Sequence, residues 1–271
     1  MFDDSRIRDL LGSLSRTSTI GIVGLGSGGF PVMQHLAMSG WANFRLVDPD
    51  SLDEPNMVKH PGLRADIGTS KVQIAESWLR DRNPTAEVRS WRSDVMDLEE
   101  SALTDCDLIV SCTDGNGARY WINDFCIAHS IPMTVGIVHR GGVGGTVLAF
   151  RPNESGCYGC MELAAEGLDG LPSDDEVPLT GSESELIYGR RMTGYSAPGL
   201  SADIAAVTAL HAQVTIGELI RLEAPYDAAI LPSEANWISV RFRSAAAWQW
   251  STSAFFLPKI DGCVSCGTEA I

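Results

Sequence analysis

The stretch GIVGLGSGGF, residues 21–30, closes an apolar run with Gly24, Gly26 and Gly29 in the spacing GxGxxG. Glycines admit positive φ and close backbone approach, so the amides that open the following helix can face an anion such as a phosphate. Asp48 follows at the end of the next strand, where a carboxylate can accept hydrogen bonds from ribose hydroxyls. Loop and acid by themselves fit a nicotinamide dinucleotide as well as ATP. Two features weigh toward a triphosphate. Asp48 opens the string DPDSLDEPNMVKH, which holds more polar side chains than a ribose contact requires. IGTSK sets Lys71 at the start of a helix, where the dipole disfavours a cation and a bound phosphate would favour one. Asp114, beyond the apolar strand LIVSC, is placed either to hold Mg2+ beside phosphates or to make an Asx-turn or the N-cap of the helix that begins near Arg119.

A second constellation lies further along. Cys157 and Cys160, with Cys263 and Cys266, form two CxxC pairs, four soft ligands of the kind that build a closed tetrahedral zinc site. A closed site has no open position, so its expected role is a structural clip for the chain end. Cys106, Cys112 and Cys126 stand singly in apolar or helical text, and Cys112 reads as packing.

The elements that must position these residues alternate. STIGIVGL, FRLVDPD, AEVRSWRSDV, CDLIVSC and IPMTVGIVHRGG read as strands, and PVMQHLAMSG, SKVQIAESWLRDRN and GARYWINDFCIAHS as the helices between them. The pattern predicts one α/β domain over residues 1–271: a doubly wound Rossmann-like sheet with ligands at the strand carboxyl ends, a C-terminal antiparallel extension and the four-cysteine zinc clip. A short helix is expected over residues 4–16, a long buried helix over 195–222, and two or three strands in the tail. Residues 167–197, acidic and rich in Gly, Pro and Ser, read as a mobile crossover loop. Gly144 and Gly145 either receive an extended tail or make a plain hairpin turn.

Composition sets the outer bounds. With 44% hydrophobic and 20% charged residues over 271 positions the chain is an ordinary globular one, and its net charge of −15 repels DNA and RNA. No apolar run reaches the roughly 18–20 residues of a membrane helix. The first residues, MFDDSRIRDLLGSL, are acidic where a secretory signal would be basic, so a soluble cytoplasmic protein is expected.

In their order along the chain, GLGSGG, VDPDSL with NMVKH, IGTSK, SCTDGN and the paired CxxC motifs make the sequence resemble the ThiF/MoeB-type adenylyltransferases, relatives of ubiquitin-activating enzymes. The style of the motifs is similar to bacterial members that occur beside ubiquitin-like conjugation systems. The resemblance implies that ATP adenylates the C-terminal glycine of a ubiquitin-like or sulfur-carrier β-grasp protein and releases pyrophosphate. Carried over position by position, Gly24, Gly26, Gly28 and Gly29 would cradle the nucleotide, and Asp48 would bind the ribose with Asp50 in the same set. Asn56 and Lys71 would meet the phosphates, Asp114 would hold Mg2+, and a homodimer is implied.

The chain departs from the family pattern in three places. The family usually has arginine where Lys59 stands, which keeps the charge and loses the bidentate fork; Arg64 is near enough in sequence to substitute. Many members supply an arginine from an N-terminal segment, where this chain offers Arg6, Arg8 and Arg16. Members that form a thioester or persulfide carry a cysteine in the crossover loop, and residues 167–195 contain none, so the expected product is the acyl-adenylate. Three other readings stay open: an NAD-dependent oxidoreductase, which leaves Lys71, Asn56 and the four-cysteine set idle; a silent nucleotide-binding scaffold; and adenylation of a short peptide.

Overall fold

The computed structural model describes residues 3–166, 199–225, 227–230, 232–243 and 248–267. The apolar runs form the parallel strands β1 (Thr19–Val23), β2 (Asn43–Val47), β3 (Glu87–Trp91), β4 (Leu108–Ser111) and β5 (Met133–Val138), in the spatial order β3-β2-β1-β4-β5. The sheet then turns antiparallel through β6 (Gly144–Phe150), β7 (Trp237–Arg243) and β8 (Trp248–Phe255). This is the doubly wound arrangement with an antiparallel extension read from the sequence. Its strand order reverses between β1 and β4, and there the carboxyl ends open a crevice.

Both faces of the sheet are covered, because side chains alternate along each strand. Ile20, Ile22, Phe44, Leu46, Leu108 and Val110 pack on one face against α2 (Gly29–Met38), α3 (Lys71–Arg82) and α6 (Ser201–Glu223). Val23, Ile109, Met133 and Val135 pack on the other against α4 (Asn116–His129) and α5 (Tyr158–Glu166). Each fully buried large apolar side chain contributes about 1.5–3 kcal/mol, which fixes the register that aligns the strand ends. A buried bidentate pair, Arg151 Nη2 to Glu218 Oε1 at 2.7 Å, ties the end of β6 to α6.

Several expectations need correction. The N-terminal helix, α1, covers only Arg8–Leu11, because the chain turns at Gly12 with φ +61; a Cβ there would lie 2.4 Å from the Asp227 carboxylate, which holds the Ser13 amide and hydroxyl. Gly144 and Gly145 do not make the hairpin turn. They lie inside β6, fully paired, and a Cβ would come within 2.1 Å of the Val240 carbonyl at the first and 2.5 Å of Val207 at the second. The turn before them uses Gly141 and Gly142 at φ +70 and +65. The described tail gives two strands, and the expected crossover loop at 167–197 lies outside the described residues.

Candidate nucleotide site and cysteine cluster

The glycine loop leaves β1 at the crevice. Gly24, at φ +88, donates its N–H to the Val47 carbonyl at 2.8 Å, and a Cβ on it would strike the Cys112 carbonyl at 2.7 Å. At Gly29 a Cβ would lie 1.9 Å from the Gly24 carbonyl. These two glycines are demanded by the chain's own packing. Gly26 and Gly28 are different: a Cβ at Gly26 would meet no atom within 4 Å and at Gly28 only Cys112 Cβ, at 3.9 Å, so the space above them is open.

One peptide of this loop is gripped from both sides. The Leu25 N–H donates to Asp48 Oδ2 at 2.6 Å, and His60 Nε2 contacts the Leu25 carbonyl at 3.0 Å. The Gly62 N–H donates to His60 Nδ1 at 2.9 Å, which leaves the imidazole proton on Nε2 to donate to that carbonyl. Burial pushes the His60 pKa below its ordinary value, so the ring holds this neutral tautomer. Asp48 Oδ1 accepts from the Asp50 N–H at 2.8 Å; burial pushes its carboxyl pKa up, and the Lys71 charge pulls it down.

Lys71 begins α3, buried, with its Nζ 2.8 Å from Asp50 Oδ2. The cation therefore has a partner within the chain, which relieves part of its unfavourable place in the helix dipole. Ser70, at the N-cap, makes no capping bond, and its buried hydroxyl has no hydrogen-bond partner among the described residues. Asn56 sits half-buried on a short 3-10 turn, its N–H on the Asp53 side chain.

Beside this cluster lies a cavity of about 200 Å³ lined among others by Ser27, Gly28, Lys59, Thr113, Asp114 and Arg119. Asp114 is exposed and belongs to the loop before α4, whose N-cap is Gly115, so it is no helix cap. The Thr113 hydroxyl is buried without a partner among the described residues. Arg64 does not reach this site: its side chain is 79% exposed and pairs with Glu54 at 3.0 Å, so the substitution for the family arginine does not follow from the geometry. Arg8 and Arg16 pair with Asp4 on the N-terminal surface.

The far wall of the cavity holds a pair missed in the sequence, Cys112 and His211, with Sγ to Nδ1 at 3.6 Å. Thr215 Oγ1 donates to the His211 carbonyl at 2.9 Å, so the Thr134 hydroxyl donates to Thr215 Oγ1 at 2.9 Å and accepts from His211 Nε2 at 3.0 Å. Each hydroxyl has one hydrogen to give, which leaves His211 Nδ1 bare to accept the Cys112 S–H. Burial pushes the thiol up to about 12 and the imidazole down to about 4, so both are neutral. A neutral thiol is a poor nucleophile.

The four motif cysteines meet on the opposite side of the sheet's C-terminal half. Their sulfurs all lie within 4.8 Å of one another, with Cys157 to Cys263 at 3.6 Å and Cys160 to Cys266 at 3.3 Å. A tetrahedral zinc with bonds near 2.3 Å sets its sulfurs about 3.8 Å apart. The donor set therefore fits such an ion, and the Ile260 N–H to Cys160 Sγ at 3.3 Å supplies the outer hydrogen bond that thiolates take.

The sequence profile of the ThiF family matches residues 8–249. The chain belongs to the ThiF family. Among relatives of this ThiF chain is the molybdopterin-synthase adenylyltransferase of Escherichia coli, 28% identical over 214 residues, which are 76% of this chain and 85% of that one. The adenylyltransferase and sulfurtransferase UBA4 of Meyerozyma guilliermondii is 29% identical over 144 residues, 52% of this chain. The SAMP-activating enzyme E1 of Haloferax volcanii is 29% identical over 149 residues, 54% of this chain. The matches span only a third of the UBA4 protein and about half of the archaeal one. Of solved structures, E. coli MccB with ATP superposes with a TM-score of 0.67 over 93% of this chain and 67% of that one, at 18% identity, a likeness of fold.

Proposed function

We propose that this ThiF-family chain is a Mg·ATP-dependent adenylyltransferase for the C-terminal carboxylate of a ubiquitin-like or sulfur-carrier protein. The observation that carries the reading is the open crevice above Gly26 and Gly28, bordered by Lys59 and Asp114, with Asp48, Asp50 and Lys71 clustered at its edge. The Thr113 hydroxyl, on the cavity wall and without a partner among the described residues, adds a donor that a polyphosphate would satisfy. The adenylyltransferase names of several relatives support the same reaction.

In this reaction a carboxylate oxygen attacks the α-phosphorus of ATP, the bond from that phosphorus to the bridging oxygen breaks, and pyrophosphate leaves with the electron pair. The step needs in-line positioning and charge neutralisation more than a protein nucleophile. The loop amides at Ser27 and Gly28 hold the phosphates, Asp48 and Asp50 take the ribose, and Lys71, Lys59 and Asn56 draw charge from the polyphosphate. Asp114 would hold Mg2+, whose charge would offset that of the polyphosphate. The neutral Cys112 has no part in the step, and the product is the acyl-adenylate. The four-cysteine cluster would hold a structural zinc.

The same reading takes the molecule as a cytoplasmic homodimer acting without nucleic acid or membrane. No helix among the described residues is long and apolar enough to cross a membrane. The test is ATP–pyrophosphate exchange with a panel of purified β-grasp proteins ending in a free glycine. Exchange that needs both the folded partner and Asp114 is expected. Nucleotide binding without exchange would leave a scaffold, exchange with a short peptide alone would move the substrate class, and binding of NAD in place of ATP would overturn the assignment.

A further inference from the structure

Tyr158 stands between two of the motif cysteines in the chain and is fully buried, with its hydroxyl at the head of α4. Its N–H donates to Asn123 Oδ1 at 2.8 Å, and Asn123 is itself fully buried on α4. Its hydroxyl donates to Asn116 Oδ1 at 3.3 Å, the first residue of that helix. Arg119 Nη1 donates to the same oxygen at 3.0 Å, and Arg119 Nε to the Thr113 carbonyl at 3.1 Å. Thr113 is the residue before Asp114. The Tyr120 ring meets the Tyr158 ring edge-on at 5.1 Å, and a Cβ on Gly159 would lie 3.0 Å from Cys263 Sγ and 3.6 Å from Tyr120 Cε1. One helix, α4, is thus pinned along its first two turns to the Cys-Tyr-Gly-Cys turn and carries the Asp114 loop at its head.

We infer that Tyr158 is a positioning residue through which the cysteine cluster holds the Asp114 loop in place, so that metal loading at the cluster sets how well that loop receives magnesium and nucleotide. Among the described residues little else covers the loop: Asp114, Gly115 and Asn116 are exposed, and Gly115 caps the helix without a side chain. Arg119 and Asn116 hold it, through the Thr113 carbonyl and the shared Asn116 Oδ1, and the Tyr158 hydroxyl bonds that same oxygen. The part of the inference that concerns nucleotide rests on the function proposed above; the positioning does not.

The test separates the two. Amide hydrogen exchange of residues 113–119 is followed in the nucleotide-free, zinc-loaded protein and in Tyr158→Phe, which keeps the ring packing and removes the one hydroxyl. Exchange of these amides is expected to rise about three- to tenfold in the variant, the scale of one lost hydrogen bond, with zinc content by mass spectrometry unchanged. Chelation of the wild type should raise exchange in 113–119 together with 157–160. Unchanged exchange at 113–119 in both experiments overturns the inference, whatever the ligand. Calorimetry with Mg·ATP on the same samples then reads the coupling: weaker binding in Tyr158→Phe, most marked at low magnesium, is expected. Equal affinity in both proteins would overturn the coupling, whereas absence of ATP binding by the wild type would count against the proposed function and leave the exchange result to decide the positioning.

Discussion

Lys71 Nζ lies 2.8 Å from Asp50 Oδ2, so the ammonium that opens α3 is matched by a carboxylate of its own chain before any phosphate arrives. A phosphate that takes this cation must compete with Asp50 or share it, and a charge-assisted hydrogen bond is worth about 1.5–3 kcal/mol. Lys71→Ala is therefore expected to weaken Mg·ATP binding about ten- to hundredfold by calorimetry. Unaltered affinity would leave Lys71 as a structural partner of Asp50 alone.

Asp48 holds two backbone donors at once, the Leu25 and Asp50 amides. An amide at this position can accept from only one of them and must turn its own N–H groups toward the other. Asp48→Asn is expected to lose about 1–3 kcal/mol of stability in urea denaturation. A neutral outcome would mean that the loop can re-form around the substitution.

Glu218 is the carboxylate for Arg151 in a pair whose two side chains are each 5% exposed. Removing one partner strands the other charge away from water. Glu218→Ala should cost about 3–5 kcal/mol, read as a lower midpoint in thermal or urea unfolding.

The Arg45 guanidinium, through its hydrogen bonds, holds the Asp105 carboxyl below the usual carboxylate pKa. A depressed folded-state pKa stabilises above the unfolded value of about 3.9 and is lost as pH falls through the lower folded one. Wild type should exceed Asp105→Asn in urea midpoint at neutral pH, and the gap should close in acid below that window. Because Asp105 is 43% exposed, the gap is small and should shrink further in salt.

The four-cysteine reading predicts one zinc per chain by elemental analysis. Cys160→Ala should lose it, and the protein as purified should yield it only to a strong chelator. Absence of metal together with a disulfide among these cysteines would replace the clip by a redox pair.

Legibility from sequence followed the physics of each feature. The parallel strands were readable because burial on both faces makes them continuous apolar runs between turn residues, and the cysteine pairs because thiolate ligands recur at fixed short spacing. The glycine loop was readable as a motif, but its four glycines hid two reasons: Gly24 and Gly29 answer to neighbouring backbone, while Gly26 and Gly28 border open space. His60 closed a quoted polar string, yet only the Leu25 carbonyl and the Gly62 amide give it a role. His211, Thr215 and Glu218 were concealed in an Ala-rich helix, since a helix read by its apolar content does not reveal which polar groups its buried face carries. Arg64 failed for a related reason. Closeness along the chain says nothing of direction, and the turn at residues 64–66 points it to Glu54 and solvent.

The two cysteine pairs are 106 residues apart in the chain. A bound ion would therefore act as a reversible cross-link across more than a third of the polypeptide. In the chain-entropy view, closing a loop of that length removes about 4–5 kcal/mol of disorder from the denatured ensemble, a large part of the margin of an ordinary domain. Unlike a disulfide, this tether obeys mass action, so the folded population would rise and fall with free zinc.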